Sequence, residues 1–148
     1  MNRSVFLVPV VLVFSLLVSQ AADSSCCTMK IDASSAATGV LTVTIVNIKQ
    51  QVITIQKTTA EMDYTVQLTS ANGAPCPQSE DGRKLLTKER GGRRSYEELH
   101  QNESTSDTVD LRKLFELTSG AYRATVTRRV TIGGSIVVLE ATAAFEVP

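Results

Sequence analysis

The chain reads as an all-β protein, an antiparallel Greek-key β-sandwich of seven to eight strands with one short helical turn. Three features specify this class. Several segments alternate apolar and polar residues with period 2, the mark of a strand with one buried face. Turn signals separate them at the roughly 8–12-residue spacing usual in sandwiches. The third feature is Thr108–Val130, where an apolar helical turn (Leu111, Leu114, Phe115, Leu117) runs into Gly120, Tyr122 and a clean alternating strand. Leu117, Gly120 and Tyr122 have the spacing of a tyrosine corner, in which the Tyr hydroxyl reaches back to an upstream backbone group.

Residues 1–21 read as a signal peptide outside the fold. Arg3 supplies the positive end, and Val5–Val18 is an apolar run of about 14 residues, too short for a spanning helix. Ser19-Gln20-Ala21 places small residues for cleavage after Ala21, with Ala22 the neighbouring choice. Residues 22–148 then form a single domain of ordinary size. The expected location is extracellular, or periplasmic in a Gram-negative bacterium, with no stable membrane insertion once the signal is removed.

Within that domain, Thr28–Ile31 predicts a short edge strand, and Leu41–Ile48 alternates as a half-buried one. Lys49-Gln50-Gln51 breaks the pattern, Val52–Ile55 resumes it, and Thr58–Asp63 is a polar loop. Tyr64–Leu68 alternates and stops before the turn signal Asn72-Gly73. Pro75 and Pro77 hold an extended, unpaired stretch around Cys76. Gln78–Gly92 has no clear period, and Leu85-Leu86 reads as a short strand or a loop anchor. Ser95–Leu99 and Thr105–Leu111 are strands around a turn at Gln101–Ser104. In Ala121–Val130, Tyr122, Ala124, Val126 and Arg128 share one face, and Arg123, Thr125, Thr127 and Arg129 the other. Gly133-Gly134 is a hairpin turn into the last strand, Ile136–Val147.

Composition excludes several function classes. The chain carries 15 basic and 15 acidic residues, and losing Arg3 with the signal leaves 14 against 15. Near-neutral charge gives no electrostatic footprint for nucleic acid. There is no Trp, and aromatics are 5% of the chain, a poor stacking inventory. Cys26, Cys27 and Cys76 would enter an oxidising compartment, where a Cys27–Cys76 or Cys26–Cys76 disulfide is expected, because adjacent cysteines rarely pair. The odd thiol would be buried, capped, or used in a disulfide-linked dimer. Three Cys and the single His100 offer no metal-ligand spacing, and no cofactor motif is present.

One charge cluster stands out. Arg83, Lys84, Lys88, Arg90, Arg93 and Arg94 put six basic residues against one acid in twelve positions. This loop is the first candidate interaction surface, for a protein partner or an anionic glycan, or a site of proteolytic processing. A solvated loop balanced by Glu97, Glu98, Glu103, Asp107 and Asp110 is the plainer alternative. Asn102-Glu103-Ser104 is an N-glycosylation sequon in an exposed turn. His100 has no nucleophile motif beside it, and Glu97 and Glu98 would point to opposite faces of their strand. No catalytic, cofactor-binding or metal residue is assigned, and the chain is expected not to be an enzyme.

Several ordered segments also resemble a known family. Leu41–Asn47 resembles the opening strand of secreted immunoglobulin-like domains. Asn72–Pro77 with Asp81–Leu85, Leu99–Ser104 with Val109–Leu111, and Leu114–Tyr122 are similar, in the same order, to the non-catalytic N-terminal domain of deuterolysin-type zinc endopeptidases. The likeness to BsuPI-type proteinase-inhibitor domains is looser. Gln101-Asn102 replaces a Pro-Gly, Ser119 a Pro, and Cys76 a Val, and the peptidases' His-Glu-x-x-His has no counterpart. The resemblance implies an immunoglobulin-like sandwich without peptidase activity. The function to expect is a secreted protein-interaction module, with a proteinase inhibitor or chaperone-like propeptide-type domain as the alternative.

Overall fold

A computed structural model describes residues 26–87 and 94–148, together with a two-residue strand, β1, at Gln20–Ala21. Period-2 alternation sorts the side chains of every long strand into an inner and an outer row. In β3 (Val40–Asn47), Leu41, Val43, Ile45 and Asn47 face inward and the residues between them are half-buried. In β8 (Gly120–Ile132) the inward row is Tyr122, Ala124, Val126, Arg128, Val130 and Ile132. The inner rows of two sheets meet in one apolar core around Met29, Leu41, Ile45, Ile53, Ile55 and Leu139. The protein is therefore an all-β sandwich of two antiparallel sheets.

The smaller sheet is β2 (Cys27–Asp32), β3 and β7 (Ser104–Asp110), with β3 central. The larger sheet has the order β1, β9 (Ser135–Val147), β8, β4 (Ile53–Lys57) and β6 (Ser95–Leu99), and β5 (Thr65–Ser70) also pairs with β8. β8 and β9 form a hairpin paired from Gly120↔Val147 to Ile132↔Ser135. Gly133 and Gly134 close it at φ 54° and 81°, a left-handed pair that glycine adopts without strain.

The other edge of β8 is divided between two strands. β5 pairs with residues 122–127 and β4 with only residues 131 and 132. Among the described residues no strand pairs with 128–130 on that side, so the sheet forks there. The chain between β4 and β5 turns through a short helix, α1 (Ala60–Asp63), at the mouth of the fork.

Helical structure departs from expectation twice. The polar segment Thr58–Asp63 contains α1 rather than a plain loop. Leu85 and Leu86, read as a short strand or a loop anchor, lie in a helix, α2 (Glu80–Thr87). The Ser79 hydroxyl accepts from the Gly82 N–H at 2.9 Å, acids fill the first turn, and Glu80 pairs with Lys84 one turn on at 2.7 Å. Gly82, which reads as a breaker, is there for proximity: an added Cβ would lie 2.2 Å from the Leu114 carbonyl oxygen in α3 (Leu111–Leu114).

The expected disulfide is absent: no two of Cys26, Cys27 and Cys76 stand at bonding distance. Topology gives the reason. Cys27 pairs with Asn47, whose side-chain amide donates to the Leu99 and Gln51 carbonyls at one end of the sandwich. Cys76 donates its N–H to Leu68, which pairs with Ala124, and Gln78 bridges to Phe115. Those partners lie at the opposite end, roughly 25 Å away along the strands at the usual rise per residue. Disulfide geometry requires Cα atoms within about 7 Å.

Candidate functional site

Arg128 is the one charged residue in the inward row of β8, and it is only 4% exposed. A buried guanidinium has to be matched by acceptors. The fork supplies them. Arg128 Nη1 stands 3.3 Å from Asp63 at the end of α1, and Nη2 donates to the Gln56 carbonyl on the open side of β4. The guanidinium lies 4.9 Å from the centroid of the Tyr64 ring, a cation–π arrangement. Arg128 thus spans the gap that no strand fills. Its Nε is buried and has no hydrogen-bond partner.

Asp63 is fixed from the other side. It accepts from the Thr58 N–H at 2.8 Å and from the Thr58 hydroxyl at 2.6 Å. The Tyr64 hydroxyl donates to Asp107 of β7 at 2.8 Å, which ties the fork to the smaller sheet. Burial and then the Asp107 carboxylate push the Tyr64 phenol well above the ordinary tyrosine range, so it remains protonated. Asp107 also meets Lys57 Nζ at 3.2 Å, and Lys57 lies 2.8 Å from Glu97. Lys57 donates to the Thr105 hydroxyl at 2.7 Å, and that hydroxyl donates to Glu97 at 2.9 Å. Burial pulls Lys57 down, but its hydrogen bonds to Glu97 and Asp107 outweigh that and hold it above the ordinary lysine value. The Lys57 hydrogen bond holds Glu97 below the ordinary carboxylate value against the opposing effect of burial. Neither Lys57 nor Tyr64 is poised to accept a proton near neutral pH, so this network binds the sheets together and holds Arg128 in place.

Above Arg128 the fork opens as a groove of about 490 Å³. Both rows of β8 line it, Arg128 and Val130 from the inner row and Thr127, Arg129 and Thr131 from the outer, because the covering strand is missing. Thr54, Gln56, Thr58 and Thr65 add polar groups from β4 and the turn into β5. Ile136 and Val138 of β9 form one apolar bank and are 70% and 58% exposed. The register pairs Arg129 with Val138 and Gln56 with Tyr96, which is 67% exposed on β6. A row Tyr96, Gln56, Arg129, Val138 therefore crosses the outer face of the larger sheet, with the fork at its middle.

The residues singled out in the sequence lie elsewhere. Lys88, Arg90 and Arg93 fall outside the described residues, as does residues 1–19 of the expected signal. Gln20–Ala21 pairs with Thr142 and Ala141 of β9, so cleavage after Ala21 would remove β1. Arg83 donates to the Gln78 carbonyl at 2.9 Å, and Arg94 is exposed. A second hollow of about 300 Å³ between α2 and α3 is lined by Asp81, Lys84, Leu85 and Lys113. Its cations are matched, Lys84 by Glu80 at 2.7 Å and Lys113 by Glu61 at 2.9 Å.

Asn102 is exposed in the β6–β7 turn at φ 66°, a left-handed conformation that asparagine tolerates. His100 is exposed there too, and its N–H donates to Glu103 at 2.7 Å. Glu97 faces the Lys57 network while Glu98 is exposed, so the two carboxylates do not act together. Burial raises the Cys76 thiol above its ordinary value. Tyr122 donates to the Thr118 carbonyl at 2.8 Å and accepts from the Thr118 N–H at 3.1 Å, closing the corner before β8. Among the described residues no group of His, Cys, Asp or Glu could hold a metal, and no helix is long and apolar enough to cross a membrane.

The groove itself was not anticipated. Its signal was present in the alternation that places Arg128 in line with Tyr122, Ala124 and Val126, since an Arg on a core face needs a reason. What emerges is a β-sandwich whose larger sheet forks around a buried arginine, with Ile136 and Val138 as an apolar bank beside it. No protein-family model matches the chain, and no curated protein matches its sequence.

Proposed function

We propose that the chain is a secreted, non-enzymatic protein-interaction module that engages its partner on the outer face of the larger sheet. The observation that carries this reading is the pairing of large exposed side chains with a groove. Ile136 and Val138 are exposed on the wall of the groove, and Tyr96 is exposed on β6 of the same sheet face. Scattered apolar residues on a surface are ordinary, but a cluster rimmed by polar groups marks an interaction site, and tyrosine is enriched at such sites. The apolar run Val5–Val18 followed by Ser19-Gln20-Ala21 supports export. The resemblance to deuterolysin-type N-terminal domains and BsuPI-type inhibitors suggests that the partner could be a protease.

The test is site-specific crosslinking in the natively secreted protein. A photoreactive residue at Val138 is expected to give a discrete crosslinked partner, and the same residue at exposed Lys30 on the smaller sheet is not. Equal patterns from the two positions would reject this face as the interface. A stoichiometric loss of protease activity on mixing, with the chain left intact, would specify the module as an inhibitor.

A further inference from the structure

We propose that the fork in the larger sheet is a carboxylate-binding site, filled by an acidic side chain of an extended peptide segment from a protein partner. The inference rests on the reading of this face as the partner surface and names what the face recognises.

The first argument is hydrogen-bond satisfaction. A guanidinium presents five N–H donors in a fixed planar fork. In Arg128, a residue that lines the groove, Nη1 faces Asp63 and Nη2 faces the Gln56 carbonyl, while the buried Nε has no acceptor. A buried donor left unmade is costly, and an incoming acceptor recovers that cost. Nε and the adjacent Nη2 form the edge on which arginine receives a carboxylate with two parallel bonds.

The second argument is charge. Asp63 already neutralises Arg128, so Arg128 contributes donors rather than net charge. Arg129 is exposed on the same wall of the groove and has no ion-pair partner among the described residues. Arg129 therefore offers a carboxylate a cation at the groove wall, while Glu98 and Glu140, opposite Thr54 and Thr127 on the neighbouring strands, disfavour a dianionic phosphate. The hydroxyls of Thr54 and Thr131 line the same space and supply neutral donors.

Shape supplies the third argument. The unpaired stretch of β8, residues 128–130, is about 10 Å long at the usual strand rise. That length takes roughly three residues of extended chain. An acidic residue at the centre of such a segment meets the Arg128–Arg129 wall. An apolar residue beside it meets Ile136 and Val138, which line the same groove.

The probe is the blocked tripeptide Ac-Val-Asp-Val-NH2, with Ac-Val-Asn-Val-NH2 as its uncharged counterpart, titrated into the 15N-labelled protein. The arginine Nε–H region is recorded together with the backbone amides. The Asp peptide is expected to shift the Arg128 Nε–H and the amides of residues 128–131 saturably, with a dissociation constant on the order of millimolar. The Asn peptide should bind about tenfold more weakly, and Arg129→Gln should weaken the Asp peptide by a similar factor. Arg129 is exposed, so this variant keeps its fold, and its unperturbed spectrum verifies that. Lys30→Gln on the opposite sheet should change nothing.

An Arg128 Nε–H that stays in place throughout the titration, or equal affinities for the Asp and Asn peptides, would overturn the assignment. Peptide silence with crosslinking retained at Val138 rejects the carboxylate site alone. Peptide binding without a crosslinked partner upholds the site and rejects the protein-partner reading.

Discussion

Arg128 shows how one residue can be both a structural fastener and a recognition element. Its guanidinium replaces the strand pairing missing between β4 and β8, and it does so by taking Asp63 and the Gln56 carbonyl as partners. Substituting Arg128→Met keeps the length and removes the donors. The Asp63 carboxylate, 10% exposed, then loses its cation, and the Gln56 carbonyl loses its donor. The expected cost is about 3–5 kcal/mol, the usual penalty for breaking a buried pair from one side, read from the midpoint of urea unfolding. Adding Asp63→Asn to the same variant should recover part of it, because the stranded charge is gone. Equal stability of Arg128→Met and the parent would mean that the guanidinium does not hold the fork. At this scale the sequence was partly legible. Alternation put Arg128 on the inner row, but its partners are 65 residues away at Asp63 and 72 at Gln56, and no local pattern connects them.

Among the elements, β4, β6 and β7 are joined by a polar set whose ionisation sets a pH window. Glu97 sits below its ordinary value of 4.5, so it contributes stability above that pH and loses it as the pH falls through the folded value. Lys57 sits above its ordinary 10.5, so its contribution is complete below that pH and is lost as the pH rises through the folded value. The pair therefore supports a plateau between those limits. Glu97→Gln should flatten the acid limb of a plot of unfolding free energy against pH. An acid limb of unchanged slope would place the proton-linked stability elsewhere. Glu97 is not rigidly buried, and solvent screening keeps its contribution modest. Strands with strong alternation, such as Leu41–Ile48 and Ala121–Val130, were legible to within a residue or two. α2 was not: its cap, acidic first turn and Glu80–Lys84 pair are all in the sequence, but Gly82 hides them until its close approach to Leu114 is known.

For the molecule as a whole, stability rests on the core and not on a covalent tie. Cys76 lies at the end of the sandwich away from Cys26 and Cys27 and is not bridged to either. Cys76→Ser is expected to cost less than about 1 kcal/mol, as read by thermal or urea unfolding of the oxidised protein. Loss of a bridge closing such a loop would cost roughly 2–4 kcal/mol. A loss of that size would show that the native protein is crosslinked. Cysteine spacing misled here because pairing depends on which end of a strand each residue occupies, and spacing along the chain does not encode that. The sandwich class was readable because period-2 burial is local, whereas the fork depends on two strands competing for one edge of β8.

The β8–β9 hairpin also sets the order of assembly. Its rungs join residues that are close in sequence across a two-residue turn, whereas the β3–β7 rungs close loops of 58 to 70 residues, from Val46↔Ser104 to Val40↔Asp110. Loop-closure entropy favours the short connection first. Val126→Ala in the hairpin should therefore slow refolding, and Val109→Ala in β7 should act mainly by speeding unfolding.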